Sequence, residues 1–171
     1  IWDGLLQGES IALQAHSGEV RLRLTVRGTD GQKVRSRMDE LEAQIRARLG
    51  SSVCGTGEEG LAHAVLSLLR GKGATLATAE SVTGGLVSAR LASIPGASEI
   101  LLGGWVAYTG GLKSGMIGVL PGTIELSGEV SGATAIELAR GAREKSGADY
   151  AVSTTGWAGP GGGTATDPVG T

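Results

Sequence analysis

The sequence predicts an α/β protein: a three-layer α/β/α sandwich with a mostly parallel sheet, preceded by a small α+β unit. Two observations predict it. From residue 53 onward, short apolar runs alternate with segments of helical periodicity, the pattern of strands joined by helical crossovers. Before residue 53, one strictly alternating run is followed by one amphipathic segment, and no internal repeat is visible.

The elements follow in order. In residues 19–27, Val20, Leu22, Leu24 and Val26 point one way, and Arg21, Arg23, Thr25 and Arg27 the other. This is a half-buried strand with a basic outer face. Asp30-Gly31 marks a turn. Residues 34–49 read as a helix striped by Met38, Leu41, Ile45 and Leu49 and ended by Gly50. Its acids (Asp39, Glu40, Glu42) come early and its bases (Arg46, Arg48) late, as the helix dipole favours. Thr56-Gly57-Glu58-Glu59 reads as a capping box for a helix striped by Leu61, Val65, Leu68 and Leu69 and ended by Gly71. Residues 74–79 form a short apolar strand. Residues 80–85 make a polar turn into a helix that runs through Ser93, where Pro95-Gly96 breaks it. Residues 100–108 read as a buried strand and 111–117 as helical; Ser131 caps a helix reaching Lys145. Residues 150–155 form a last strand, which runs into the loop Gly156-Trp157-Ala158-Gly159-Pro160-Gly161-Gly162-Gly163. Two domains are expected, residues 1–52 and 53–171.

Composition excludes several function classes. Glycine is abundant, 31 of 171 residues, against the usual ~7%. Without a fixed period, these glycines read as tight turns and close backbone approaches to a ligand. Aromatics make up 3% with no Phe, so a stacking platform for nucleic-acid bases is not expected. The net charge of −2, with acids and bases intermixed, gives no global attraction for nucleic acid or an anionic membrane. No apolar stretch is long enough to span a bilayer. Ile1-Trp2-Asp3-Gly4 is not a signal peptide. A single cysteine excludes an intrachain disulfide and fits a reducing compartment, so a cytoplasmic location is expected.

Ligands of such sheets bind where loops leave the carboxyl ends of strands. Residues 80–85, 108–113 and 155–164 qualify. In the first, Ser81 and Thr83 sit between a strand and a helix start, followed by Gly84 and Gly85. Free N–H groups there suit a phosphate or an oxyanion, although spacing alone favours Ser81 and Thr83 as caps of the helix. The third loop reads as a phosphate-binding nest or, equally, as a flexible surface loop. A nucleophilic Ser81 needs a base. His16 lies in the first unit, and His63 reads as an exposed helix residue, so a Ser-His triad is poorly supported; no histidine-cysteine metal cluster exists. Of four lysines, Lys33, Lys72 and Lys145 are badly placed. Lys113, five residues after Tyr108, follows a candidate strand. Elimination favours it; the alternative is a solvated helix lysine. Cys54 reads as a small core residue.

Ala79-Glu80-Ser81-Val82-Thr83-Gly84-Gly85, Tyr108 with Lys113, Met116-Ile117-Gly118-Val119, Val130-Ser131, and Thr155 through Gly163 with Pro168-Val169-Gly170-Thr171 together resemble the CinA C-terminal domain family. The stand-alone form of that domain is the nicotinamide-nucleotide amidase PncC. The resemblance runs from about residue 53 to the end, with the motifs in order. Residues 1–52 resemble, more weakly, part of the KH-like domain that precedes it in CinA. The chain opens without Met and stops where a strand would begin, so it reads as a fragment lacking a molybdopterin-binding-like N-terminal domain.

The resemblance implies an amidohydrolase of pyridine nucleotide salvage. It would convert nicotinamide mononucleotide to nicotinate mononucleotide and ammonia with Ser81 as nucleophile, a neutral Lys113 in a desolvated pocket as base and Tyr108 positioning the lysine or the ring. N–H groups of residues 82–85 would hold the oxyanion. Substrate binding would fall to Glu80, Thr83, Gly84, Gly85, Thr155, Gly156, Ala158, Gly159, Gly161 and Gly162. No metal or organic cofactor is implied, and a homo-oligomer is expected. This chain departs from the family pattern at four places. Val82 replaces Cys, which makes a thiol mechanism at this loop impossible and leaves Ser81 as the nucleophile. Gly110 replaces Asn, Gly132 replaces Glu and Asp167 replaces Lys. The alternative is a catalytically weakened domain that serves as an interaction module in competence or the DNA-damage response. A basic face of Arg21, Arg23 and Arg27 offers an RNA contact, but Gly28-Thr29-Asp30-Gly31 contains an acid and a turn signal where a KH loop needs neither.

Overall fold

The computed structural model describes residues 8–16, 18–57 and 60–171. Two compact units, Ile1–Leu61 and Ala62–Thr171, make up the chain.

In the first unit, β1 (Ser10–His16) and β2 (Glu19–Thr25) form an antiparallel hairpin with Ile11 opposite Leu24 and Leu13 opposite Leu22. Helix α1 (Gly31–Leu49) supplies the buried Leu41 and Ile45, on which Ile11, Leu22, Leu24, Val26 and Leu49 pack. Val20, from the same alternation, stays exposed. Strand β1 was not foreseen in the sequence. Asp30 does more than turn the chain. Its carboxylate accepts the N–H groups of Gln32 and Lys33, so α1 starts at Gly31, three residues before the expected start at 34. Cys54 lies exposed, which corrects its reading as a core residue.

The second unit contains α2 (Leu61–Lys72), β3 (Leu76–Glu80), α3 (Leu86–Ala92), β4 (Leu101–Val106), α4 (Gly110–Leu112), a π-helical turn (Lys113–Ile117), α5 (Pro121–Ser127), α6 (Gly132–Ser146) and β5 (Tyr150–Thr154). The sheet order is β4-β3-β5, and both pairings are parallel. Every residue of the central strand β3 is buried. Its side chains alternate between two cores. Ala77 and Ala79 pack with Ile117, Val119, Leu138 and Ala142, the last two from α6. Leu76 packs on the opposite face with Leu66 of α2, Leu91 of α3, and Ala97 and Ile100. Helices therefore cover both faces, giving the expected three layers.

The details differ from expectation in three places. The α2 stripe is centred on Leu66; Leu61 and Leu68 are 53% and 67% exposed. The capping box expected for this helix involves Glu58 and Glu59, which lie outside the described residues, and the helix itself begins at Leu61. Strand β4 alternates between half-buried and exposed instead of being buried throughout, because it is an edge strand of this sheet. The segment 168–171 forms a turn instead of starting a strand. Gly170 N–H donates to Trp157 O, and Thr171 O accepts from Trp157 N–H. Among the described residues, no helix is long and apolar enough to cross a membrane.

Candidate active site

Because the three strands are parallel and in register, Glu80, Val106 and Thr154 end side by side. The segments carrying Ser81, Tyr108 with Lys113, and Thr155 with the glycine-rich loop therefore leave one edge of the sheet. Pairing continues slightly past the strands: Ser81 N–H donates to Thr154 O at 2.9 Å, and Ala107 N–H to Glu80 O at 2.8 Å. The alternation of β3 thus extends to Ser81, on the side of Ala77 and Ala79. The turn that bears Lys113 contributes Ile117 to the core on that same side.

Glu80, expected to contact the substrate, has its carboxylate engaged within the protein. It is 1% exposed and accepts five hydrogen bonds. The donors are Thr83 Oγ1 (2.7 Å), Gly85 N–H (3.0 Å), Val87 N–H (2.9 Å), Ser88 N–H (2.7 Å) and Ser88 Oγ (2.6 Å). The carboxylate therefore caps α3 from the preceding strand, satisfying amides that the helix cannot. Burial opposes its ionisation, but the hydrogen bonds from Ser88, Thr83 and Val87 outweigh burial and hold the carboxyl below the ordinary glutamate range. Neither Ser81 nor Thr83 caps α3: the N-cap position is Gly85, at φ 101°, where a Cβ would also meet Val106 at 3.3 Å. Thr83 Oγ1 also meets Thr154 Oγ1 at 2.6 Å. Since Thr83 gives its proton to Glu80, Thr154 is the donor of that pair.

These bonds leave Ser81 distinctive. It is 6% exposed, and its hydroxyl makes no hydrogen bond among the described residues. The N–H groups of Ser81, Gly84, Gly85, Leu86, Val87 and Ser88 are all engaged. Those of Val82 and Thr83 make no hydrogen bond among the described residues. Of the N–H groups of residues 82–85 expected to face an oxyanion, two are uncommitted and two are not.

Lys113 is not a solvated helix lysine. It is 1% exposed and is the largest fully buried side chain among the described residues. Its Nζ lies 2.9 Å from Glu129 Oε2. The Glu129 side chain is 45% exposed, and its backbone oxygen accepts Thr155 Oγ1 at 2.8 Å. Glu129 was not singled out in the sequence. It stands in a short loop 16 residues from Lys113, and only the tertiary fold brings the two together. The pocket expected simply to desolvate the lysine also supplies its amine with a hydrogen-bond acceptor. Tyr108, expected to position Lys113 or the ring, is 61% exposed, and the amine is held by Glu129.

The glycine-rich loop is built on itself. A Cβ on Gly162 (φ +82°) would lie 2.6 Å from the Trp157 ring, and one on Gly159 (φ +79°) 2.7 Å from Val169. Both positions therefore require glycine on account of the loop's own packing. Gly161 has open space around it. The N–H groups of Gly156, Ala158, Gly159, Gly161 and Gly162 make no hydrogen bond among the described residues. Gly156 sits beside the Ser81 turn, since a Cβ there would lie 3.5 Å from Val82. Asp167, where the family pattern has Lys, accepts Thr166 Oγ1 through its side chain and Thr164 N–H through its carbonyl. Among the described residues, no three His, Cys, Asp or Glu side chains stand together to hold a metal ion.

An α/β/α sheet edge carrying a free buried serine and a buried lysine is the site of a protein whose family the sequence comparisons identify. The CinA C-terminal domain matches residues 58–171, and the damage-inducible protein CinA KH domain matches residues 1–55. The chain belongs to the CinA family. It is 43% identical over 169 residues to a CinA-like protein of Prochlorococcus marinus, covering 98% of this chain and 39% of that one. A CinA-like protein of Chlorobaculum tepidum is also 43% identical over 169 residues, with 99% and 40% covered. The chain thus spans about two-fifths of the length of these curated relatives. Among solved structures, the competence/damage inducible protein CihA from Agrobacterium tumefaciens superposes with a TM-score of 0.63 at 41% identity, over 68% of this chain and 73% of that one. A competence-damaged protein (CinA) superfamily protein from Escherichia coli gives a TM-score of 0.63 at 29% identity, over 71% and 74%.

Proposed function

We propose that this chain carries an amidohydrolase site that converts nicotinamide mononucleotide to nicotinate mononucleotide and ammonia. The observation that supports it best is selective commitment in the turn after β3. Glu80 and Thr83 are hydrogen-bonded inward, while the nearly buried Ser81 hydroxyl is left free. A hydroxyl held in place without a partner is available to a substrate carbonyl.

In the reaction, Ser81 Oγ attacks the carboxamide carbon, and its proton passes to Lys113 Nζ, which acts in its amine form. The N–H groups of Val82 and Thr83 receive the oxyanion. Lys113 returns the proton to the departing nitrogen, ammonia leaves, and an acyl ester remains on Ser81. Water, deprotonated by Lys113, then releases nicotinate mononucleotide and restores the serine. The scheme uses no metal or organic cofactor. Glu80 and Thr83 act by fixing the turn, with Gly84 and Gly85 shaping it. Thr155, Gly156, Ala158, Gly159, Gly161 and Gly162 receive the ribose phosphate through uncommitted N–H groups. Tyr108 offers an exposed ring to stack on the pyridinium. A cytoplasmic homo-oligomer completes the reading.

The test is direct. The full-length protein that contains this chain is incubated with nicotinamide mononucleotide, and ammonia and nicotinate mononucleotide are measured together. Equimolar appearance of both supports the reading. Failure to form either, in folded protein, favours an interaction module in competence or DNA damage.

A further inference from the structure

The amidase reading leaves Glu129 without a role, yet its side chain sits where the chain provides most for it. One carboxylate oxygen, Oε2, takes the Nζ of the buried Lys113 at 2.9 Å. The other, Oε1, occupies the space a side chain at position 110 would need: a Cβ on Gly110 would lie 2.6 Å from it. The Glu129 backbone is fixed independently, since its carbonyl accepts Thr155 Oγ1 at 2.8 Å. On one side Gly128 O accepts the hydroxyls of Ser131 and Thr134, which ties this loop to the start of α6. The loop after β4, the loop before α6 and the loop after β5 therefore meet at one glutamate.

We propose that Glu129 is the positioning residue of Lys113, and that Gly110 is its steric complement, the vacancy that admits the carboxylate. The inference deepens the amidase reading and rests on it for the role of Lys113. A lysine stem has four rotatable bonds, and burial alone does not choose among its rotamers. A carboxylate with a fixed backbone does, through a charge-assisted hydrogen bond. Removing the side chain at 110 makes room, and the loop before α6 fills it with the acid.

The test uses the full-length protein with Glu129→Gln, Glu129→Ala, Gly110→Ala and the Gly110→Ala/Glu129→Ala double variant. Two readouts are taken: kcat and KM on nicotinamide mononucleotide, and acetylation of Lys113 by acetic anhydride, located by mass spectrometry. Glu129→Ala is expected to lower kcat about ten- to a hundredfold, the cost of a misplaced reacting group, with KM within about twofold. Lys113 acetylation should rise several-fold. Glu129→Gln fills the same space without charge and should move both readouts in the same direction. Gly110→Ala should reproduce the Glu129→Ala defect, and the double variant should be no worse than either single one. A Gln variant indistinguishable from the parent in both readouts would overturn the proposal, since space filling would then suffice. Losses that multiply in the double variant would also overturn it. The acetylation pattern requires no turnover. If the parent shows no amidase activity but the pattern holds, the amidase reading fails and the positioning role stands; a flat pattern in an active enzyme refutes the positioning alone.

Discussion

The turn after β3 and the loop after β5 leave the same sheet edge and are held by opposite means. The first is short and anchored from within: one buried carboxylate collects five donors and fixes the start of α3. The second is long and self-supporting. Its glycines lie against Trp157 and Val169 of the same segment, and its N–H groups are mostly uncommitted. The difference matches two chemical demands. A nucleophile must be held to within a fraction of an ångström of its target, whereas a phosphate is satisfied by several converging amides. In the proposed reaction, rigidity falls where the bond would be made, and open donors where charge would be received.

The comparison breaks most severely at Glu80. Glu80→Ala leaves five donors without their acceptor, at a cost of at least about 3 kcal/mol, and activity should fall with it. Chemical denaturation reads the loss; an unchanged midpoint would show that the carboxylate does not anchor the turn. The same group predicts a pH dependence. Its folded pKa lies below the ordinary glutamate value. Its contribution is therefore complete above about pH 4.3 and disappears as pH falls through the folded value. Thermal melts of Glu80→Gln from pH 7 to 3 should lack that part of the acid destabilisation.

A second, smaller effect sharpens the role of the loop after β5. If its amides receive the phosphate, nicotinamide mononucleotide should exceed nicotinamide riboside in kcat/KM by about a hundredfold, or roughly 2.7 kcal/mol. Equal values would remove the phosphate from the account. The smallest effect is local. Gly162→Ala strains a left-handed residue against the Trp157 ring and should cost about 1–2 kcal/mol in the loop. KM should rise several-fold with kcat nearly unchanged, while a change in kcat alone would place this loop in the chemistry.

Much of the second unit was legible in the sequence. The short apolar runs of β3 and β5 and the Ser131 cap of α6 carry strong local signals, and the glycine-rich loop announces itself by composition. The misses have physical causes. Strand β1 carries only two large apolar side chains, Ile11 and Leu13, so its alternation is short, and its pairing with β2 makes it a strand. Helix α5 spans seven residues and packs only Ile124 against the core, too little for a stripe; Pro121 at its first turn was the one local signal. At the site, Ser81 and Lys113 were legible as residue types at a sheet edge. That Glu80 caps α3 was not, because Ser and Thr in the turn are the usual caps. Glu129 was invisible because the ion pair is tertiary. The burial of Lys113 likewise depends on packing around a π-helical turn, which no periodicity records.

The central claim is that Ser81 and Lys113 act as one unit, and a double-mutant cycle tests it most directly. Nicotinamide mononucleotide deamidation is measured for the parent, Ser81→Ala, Lys113→Met and the double variant, each first shown to be folded. A serine without its base and a base without its serine are equally idle. The account therefore predicts that both single variants fall to nearly the same residual rate as the double. A folded Lys113→Met variant that keeps near-parental activity, or single losses that add to give the double, would contradict it.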